Sequence, residues 1–275
     1  MSRLIAPAAL LTAVVALASP ARAGTSAGLA AYWPADEGTG SLLQEVKNDF
    51  QDASLVGGGW TLPGKIGAAA INLRGPANGD YAVASNYTKG TTAMSVSVWA
   101  KANTLPDING SALLFNENLF RIRLYDDTSL RLYFWAGSPA NWTTATIFSG
   151  TGVFTTGAWH HVAWTVRDGT ATLYLDGDDV GTTPLTSLEP SPYPQLGMGV
   201  ELTNGSPPLT FARYWDGGLD DIAVWTRTLS DTEIGLLYDA GAGRSPLDEP
   251  AAVPEPAALA VFGVLFLALR RKRSL

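Results

Sequence analysis

The 275-residue chain contains no cysteine, an absence that excludes disulfides, thiolate metal sites and cysteine nucleophiles together. Histidine is nearly absent as well, with His160 and His161 the only two. Side chains adjacent on a strand point to opposite faces, so this pair cannot jointly grip one metal ion or one substrate. Neither histidine has a recognisable nucleophile partner in the sequence, and both read as framework. Charge is scarce, at 16% of residues against a usual ~25%. Setting aside Arg3, Arg22 and the block Arg270 to Arg273 leaves 12 basic residues against 25 acidic ones. A body that acidic repels a phosphate backbone, so no nucleic-acid partner is expected. A Gly-x-Ser-x-Gly pattern occurs at Gly24–Gly28, but no strand precedes it and no helix follows. A nucleophile elbow needs both, so the match is chance.

What is present is turn-forming and apolar. The chain has 29 glycines and 17 prolines, which argue against a mostly helical protein, and 46% hydrophobic residues. With no disulfides, stability must come from a core, and a body of this length can bury one.

The two ends read as addresses. Residues 1–23 have a basic start at Arg3, an apolar run from Leu4 to Ala18 and the small-residue site Ala21-Arg22-Ala23. That order predicts a signal peptide cleaved before Gly24 by signal peptidase. At the other end, Pro254-Glu255-Pro256 precedes an apolar stretch, Ala257 to Leu269, and then Arg270, Arg271, Lys272 and Arg273. The basic block should stay on the cytoplasmic side and hold the body outside. Thirteen apolar residues make a helix of only ~20 Å against a ~30 Å hydrocarbon core, so the span is thin. The three parts together resemble the PEP-CTERM sorting signal of Gram-negative bacteria. The resemblance implies processing by an exosortase, with the membrane engaged at least transiently; a simple tail anchor is the alternative. Residues 253–275 are therefore assigned to the sorting signal, and the Pro/Ala-rich residues 242–252 to a semi-extended spacer.

Between the ends, apolar and polar residues alternate with period two. Phe120, Ile122 and Leu124 alternate with Arg121, Arg123 and Tyr125; Val162, Trp164 and Val166 form a second set, and Ala171, Leu173 and Leu175 a third. Asp168-Gly169 and Asp176-Gly177 supply tight hairpin turns, so residues 159–183 predict a three-strand meander. Further strands are expected at 29–33, 69–73, 94–100, 130–135 and 219–225. One helix is expected, because Ser230-Asp231-Thr232-Glu233 is a capping box ahead of Ile234, Leu237 and Tyr238, and Gly241 stops it. The pattern predicts an all-β, two-sheet antiparallel sandwich with one short C-terminal helix.

The blocks GLAAYWPADEGTG (28–40), GKIGAAAINL (64–73), MSVSVW (94–99), WHHVAWTVRDGTATLYLDGDDV (159–180) and GGLDDIAVWTRTLSDTEIGLLY (217–238) stand in a recognisable order. Together they resemble the LamG-like, concanavalin A-like jelly-roll domains; the match covers nearly all of residues 28–241, and the domain is assigned to residues 24–241. The resemblance implies a lectin-like binding module, often with structural calcium. Asp220 and Asp221 follow Gly217-Gly218 where related jelly rolls use an acid for calcium; Asp36 and Asp80 are the expected companions. The solvated alternative for these acids is that they cap turns. Hydrolases on this fold carry a Glu-x-Asp-x-x-Glu triplet, and this chain has none, so binding rather than catalysis is expected. Among nine tryptophans, Trp33, Trp99, Trp159, Trp164 and Trp225 read as core. Trp135, Trp142 and Trp215, with Tyr214, lie near Gly, Pro and Asn and are the candidate sugar platform. The expected product is a secreted module of the cell envelope or matrix that binds extracellular polysaccharide. A structural or adhesive matrix component without a specific glycan is the alternative; a hydrolase or lyase on the same fold ranks last.

Overall fold

The structure is a computed structural model that describes residues 24–47, 51–89, 92–136, 143–185, 188, 191–203 and 210–248. The signal segment, the sorting segment from Val253 to Leu275 and Trp142 lie outside the described residues. Two eight-stranded antiparallel sheets face each other. The first runs in the order β14 (Asp178–Pro184), β13 (Thr170–Leu175), β12 (His160–Arg167), β7 (Met94–Ala102), β18 (Asp216–Trp225), β5 (Ala70–Arg74) and β4 (Gly59–Thr61); β1 (Leu29–Trp33) also pairs with β18. The second runs β11 (Thr143–Phe148), β10 (Leu130–Ala136), β9 (Phe120–Leu124), β8 (Ser111–Asn116), β15 (Leu196–Met198), β6 (Tyr81–Ala84), β3 (Ala53–Val56) and β2 (Leu42–Leu43).

The period-two pattern is what drives these strands together. Phe120, Ile122, Leu124, Val162, Trp164, Val166, Leu173 and Leu175 are all buried between the sheets, in one contiguous core. Trp164 sits at its centre with Phe120 and Phe134 edge-on to its ring, at centroid distances of 4.7 and 5.1 Å. Edge-to-face pairs of this kind add ~0.5–1.5 kcal/mol to the area buried. The meander is β12–β13–β14, and its turn residues Asp168, Gly169, Asp176 and Gly177 all have positive φ, as tight hairpins require.

The outer faces differ. That of the first sheet is covered in part by α1 (Asp231–Tyr238), whose Ile234 and Leu237 pack with Tyr174, Ala223 and Trp225. The capping box is complete: Ser230 accepts from the Glu233 N–H and Glu233 returns the bond to the Ser230 N–H. The second sheet carries only a small hairpin, β16 (Glu201–Thr203) and β17 (Thr210–Ala212), through a cluster of Phe115, Val200 and Leu202. Among the described residues, its outer surface is half-buried along β10 and exposed along β11.

Candidate functional site

The carboxylates expected to ligate calcium divide into two places. Asp80 is buried against Arg74, with Oδ2 2.6 Å from the guanidinium Nε and Oδ1 3.1 Å from Nη2. This bidentate pair holds the Asp80 carboxyl below its ordinary pKa and neutralises it. Asp80 therefore stands apart from the other three, because a cation already occupies its oxygens. Asp220 and Asp221 start the irregular part of β18, where the pairing with β7 shifts register between Asp220 and Ala223. Both are buried. Asp220 Oδ2 accepts the N–H groups of Lys65 (2.7 Å) and Ile66 (3.1 Å), and Asp221 accepts the Tyr32 hydroxyl. Asp36 caps the turn before β5 by accepting the N–H groups of Ala68 and Ala69.

Burial, then the neighbouring Asp221, pushes Asp220 up to about 9; burial also pushes Asp221 up to about 7. Asp36 adds repulsion to both. Among the described residues, no cationic side chain pairs with any of the three. In charge, this group suits a hard divalent cation. In geometry it is incomplete, since among the described residues no three acidic or histidine side chains converge on one metal position.

The two histidines do point to opposite faces. His161 is fully buried beside Trp99, with Nε2 2.7 Å from Ser97 Oγ and Nδ1 unpartnered. Burial pushes its pKa down to about 4, with Asp176 pulling weakly the other way. His160 has partners that the sequence did not reveal: Nδ1 lies 2.7 Å from Asp176 Oδ2, and Nε2 2.8 Å from Thr155 Oγ1. The order hydroxyl, imidazole, carboxylate is that of a nucleophile triad. However, Nε2 also accepts the Thr155 backbone N–H at 3.1 Å, so the lone pair a general base would use is already engaged. The trio clamps the turn that leads into β12.

The expected aromatic platform is redistributed. Trp215 is not a surface residue: it is 0% exposed, its ring meets Phe154 edge-on, and its indole N–H reaches the Gly218 carbonyl at 3.3 Å. Its backbone N–H bonds Gly199, which pins the residue into the core just before β18. Trp159, expected in the core, is half-buried under the Lys101 ammonium. Tyr214 is half-buried beside Tyr81 and lines a cleft of about 470 Å³ with Arg213, Asp216, Asp107 and Leu105.

Trp135 stands on strand β10 instead of a loop, half-buried on the outer face with Phe115 edge-on to its ring. Register puts Arg121 of β9 opposite Tyr133 of β10 and Thr146 of β11; the next row is Arg123, Arg131 and Phe148. Because Phe120, Ile122, Leu124, Leu130, Leu132 and Phe134 point inward, this second set must point out. The Arg121 guanidinium lies over the rings of Tyr133 (4.5 Å) and Trp135 (5.0 Å), and Arg131 over Tyr125 (3.9 Å) and Phe148 (5.3 Å). Phe148 is 50% exposed. An open groove of about 380 Å³ runs between Arg131, Tyr133, Thr146 and Phe148. The Tyr125 and Tyr133 hydroxyls are 3.0 Å apart. Burial raises the Tyr125 phenol, but the Tyr133 hydroxyl and the guanidiniums of Arg123 and Arg131 outweigh it and leave the pKa below the ordinary tyrosine value.

The family model described as the concanavalin A-like lectin/glucanases superfamily matches residues 76–235. The chain belongs to this superfamily. No curated protein sequence matches it. Among solved structures, it is similar to domain 4 of AbnA, an extracellular GH43 arabinanase from Geobacillus stearothermophilus, in complex with arabinotriose. The identity is 18% and the TM-score 0.56, over 78% of this chain and 98% of that one. The binding domain of Paraclostridial Mosquitocidal Protein 1 matches with 13% identity and TM-score 0.62, over 79% and 53%. The binding domain of Botulinum Neurotoxin DC, in complex with SialylT, matches with 12% identity and TM-score 0.54, over 78% and 52%. The chain thus spans about half of each toxin domain. At these identities the likeness is one of fold.

Proposed function

We propose that this superfamily member is a carbohydrate-binding module, exported to the cell envelope or extracellular matrix, that holds polysaccharide on the outer face of its second sheet. The observation that carries the reading is the set of outward aromatics Tyr133, Trp135 and Phe148 on β10 and β11. Tyr133 and Phe148 line an open groove, on a sheet face that no helix covers among the described residues. Amphipathic aromatics beside polar groups suit a ligand with both apolar ring faces and hydroxyls. The similar arabinanase domain is in complex with arabinotriose and the similar toxin domains are binding domains, which favours binding over catalysis. The ordered ends proposed from the sequence fit the same role: a signal peptide at 1–23, the domain at 24–241, a spacer, and a sorting signal whose processing needs an exosortase. Among the described residues, no helix is long and apolar enough to cross a membrane.

Calcium belongs to the proposal only at Asp36, Asp220 and Asp221, three neighbouring carboxyl groups with no cationic partner among the described residues. A retention screen of the full-length protein on immobilised polysaccharides, run with calcium and with chelator, tests both parts. Retention on at least one polysaccharide, lost in Trp135→Ala, supports the binding reading; no retention on any leaves the matrix-component reading. Calcium should raise the melting temperature by mass action, and Asp220→Ala should abolish that rise. Identical melting in calcium and chelator would remove the ion.

A further inference from the structure

The structure assigns a charge preference to this face: we propose that it takes an anionic polysaccharide, one bearing carboxylate or sulfate groups, through Arg121 and Arg131, with Arg123 and Arg213 adding positive charge beside them. The inference rests on the carbohydrate reading above and specifies its ligand.

Four arginines gather here on a chain whose net charge is −7. Three of them meet a single carboxylate: Glu201 is 3.2 Å from Arg121 Nη1, 3.2 Å from Arg213 Nε, and hydrogen-bonded to Arg123. One carboxylate neutralises one guanidinium, so this cluster keeps an excess of positive charge. Arg131 is paired with Asp127 at 2.9 Å. The register then opposes Arg123 and Arg131 directly across β9 and β10, a like-charge placement that costs a sheet stability. The core side of both strands is supplied by Ile122, Leu124, Leu130 and Leu132, and on the outer side Glu201 partners Arg123 and Asp127 partners Arg131.

Arg123 is only 6% exposed and lies beneath the surface, and the guanidiniums that a ligand can reach are those of Arg121 and Arg131, whose side chains are 24% and 32% exposed. The guanidinium carbons of Arg121 and Arg131 lie 4.5 Å from the Tyr133 ring centre and 3.9 Å from the Tyr125 ring centre, contacts that restrain both side chains. Planar, oriented guanidiniums suit the two-oxygen edge of a carboxylate or sulfate. The groove beside them is open along its length, as a polymer requires, and its Phe148 and Tyr133 offer apolar contact between the charges.

The test measures binding of the full-length protein, in chelator, to polygalacturonate and to its fully methyl-esterified form, which keeps the sugar backbone and loses the charge. Dextran sulfate and dextran form a second pair, and single-stranded DNA a third arm. Binding to a charged polymer at least tenfold tighter than to its neutral twin, weakened by added salt, supports the proposal. The pair that shows the difference tells carboxylate from sulfate. Arg131→Gln and Arg121→Gln should each lower that affinity several-fold, while Arg167→Gln, on the other sheet, should leave it unchanged. Unaltered melting temperatures would show that these variants fold. Equal affinity for charged and neutral twins would overturn the charge preference and leave the carbohydrate reading standing. Retention of no polysaccharide would sink both, and DNA bound as tightly as the charged polysaccharide would overturn the polysaccharide assignment.

Discussion

Trp135 and Trp215 look alike in sequence, each set among residues that favour loops, yet the fold gives them opposite environments. Trp135 stands outward on β10 under Arg121, whereas Trp215 is buried against Phe154. Trp215→Ala should therefore cost ~3–5 kcal/mol in chemical denaturation, the range for emptying a buried aromatic site. Trp135→Ala should cost much less and act on binding instead. His161 gives a second residue-scale expectation, and its sign is fixed. Its folded pKa of about 4 lies below the ordinary histidine value, so the unfolded chain binds the proton first as pH falls. Stability is unaffected above about pH 6.5 and falls between there and pH 4, by on the order of 3 kcal/mol. Denaturation midpoints measured across that window should show the loss, and His161→Gln should flatten the slope. A slope unchanged in the variant would assign the acid sensitivity elsewhere. The residues that sequence reasoning missed share a cause. Glu201, Arg213, Thr155 and Asp176 matter through partners far along the chain or across a turn, and no local spacing announces such contacts.

At the scale of elements, local chemistry was legible because it acts locally. Alternation places Phe120–Leu124 as a strand and tells which side is the core, and the same alternation hands Arg121 and Arg123 to the outside. The Asp-Gly turns and the Ser230–Glu233 box need only neighbours in sequence, and both formed where the residues called for them. Ser230→Ala should lower stability by ~1 kcal/mol, the usual worth of a helix N-cap, and a thermal or denaturant melt reads it directly. A change indistinguishable from zero would mean that the tertiary contacts of Ile234 and Leu237 hold α1 without its cap. What alternation could not give is the order of strands. That β9, β10 and β11 lie side by side, with their arginines and rings in two rows, depends on sheet pairing and not on any single strand's pattern.

At the scale of the whole molecule, net charge proved a poor guide to local potential. An acidic body argued against a nucleic-acid partner, yet the structure gathers four arginines around Glu201 and Asp127 on one side of the second sheet. The proposed export route makes its own prediction at this scale. Intact-mass spectrometry of protein recovered from the producing cell's surface should find a chain starting at Gly24 and lacking Arg270 to Arg273. Leu275 intact on the surface-exposed protein would replace sorting with a tail anchor. The most direct test of the central claim is side-chain oxidation footprinting of the full-length protein with and without a retained polysaccharide. The account predicts that Tyr133, Trp135 and Phe148 become protected while Tyr214, in the cleft beside Arg213, does not. Protection confined to Tyr214 and the cleft, with the β10–β11 aromatics oxidised as before, would contradict it.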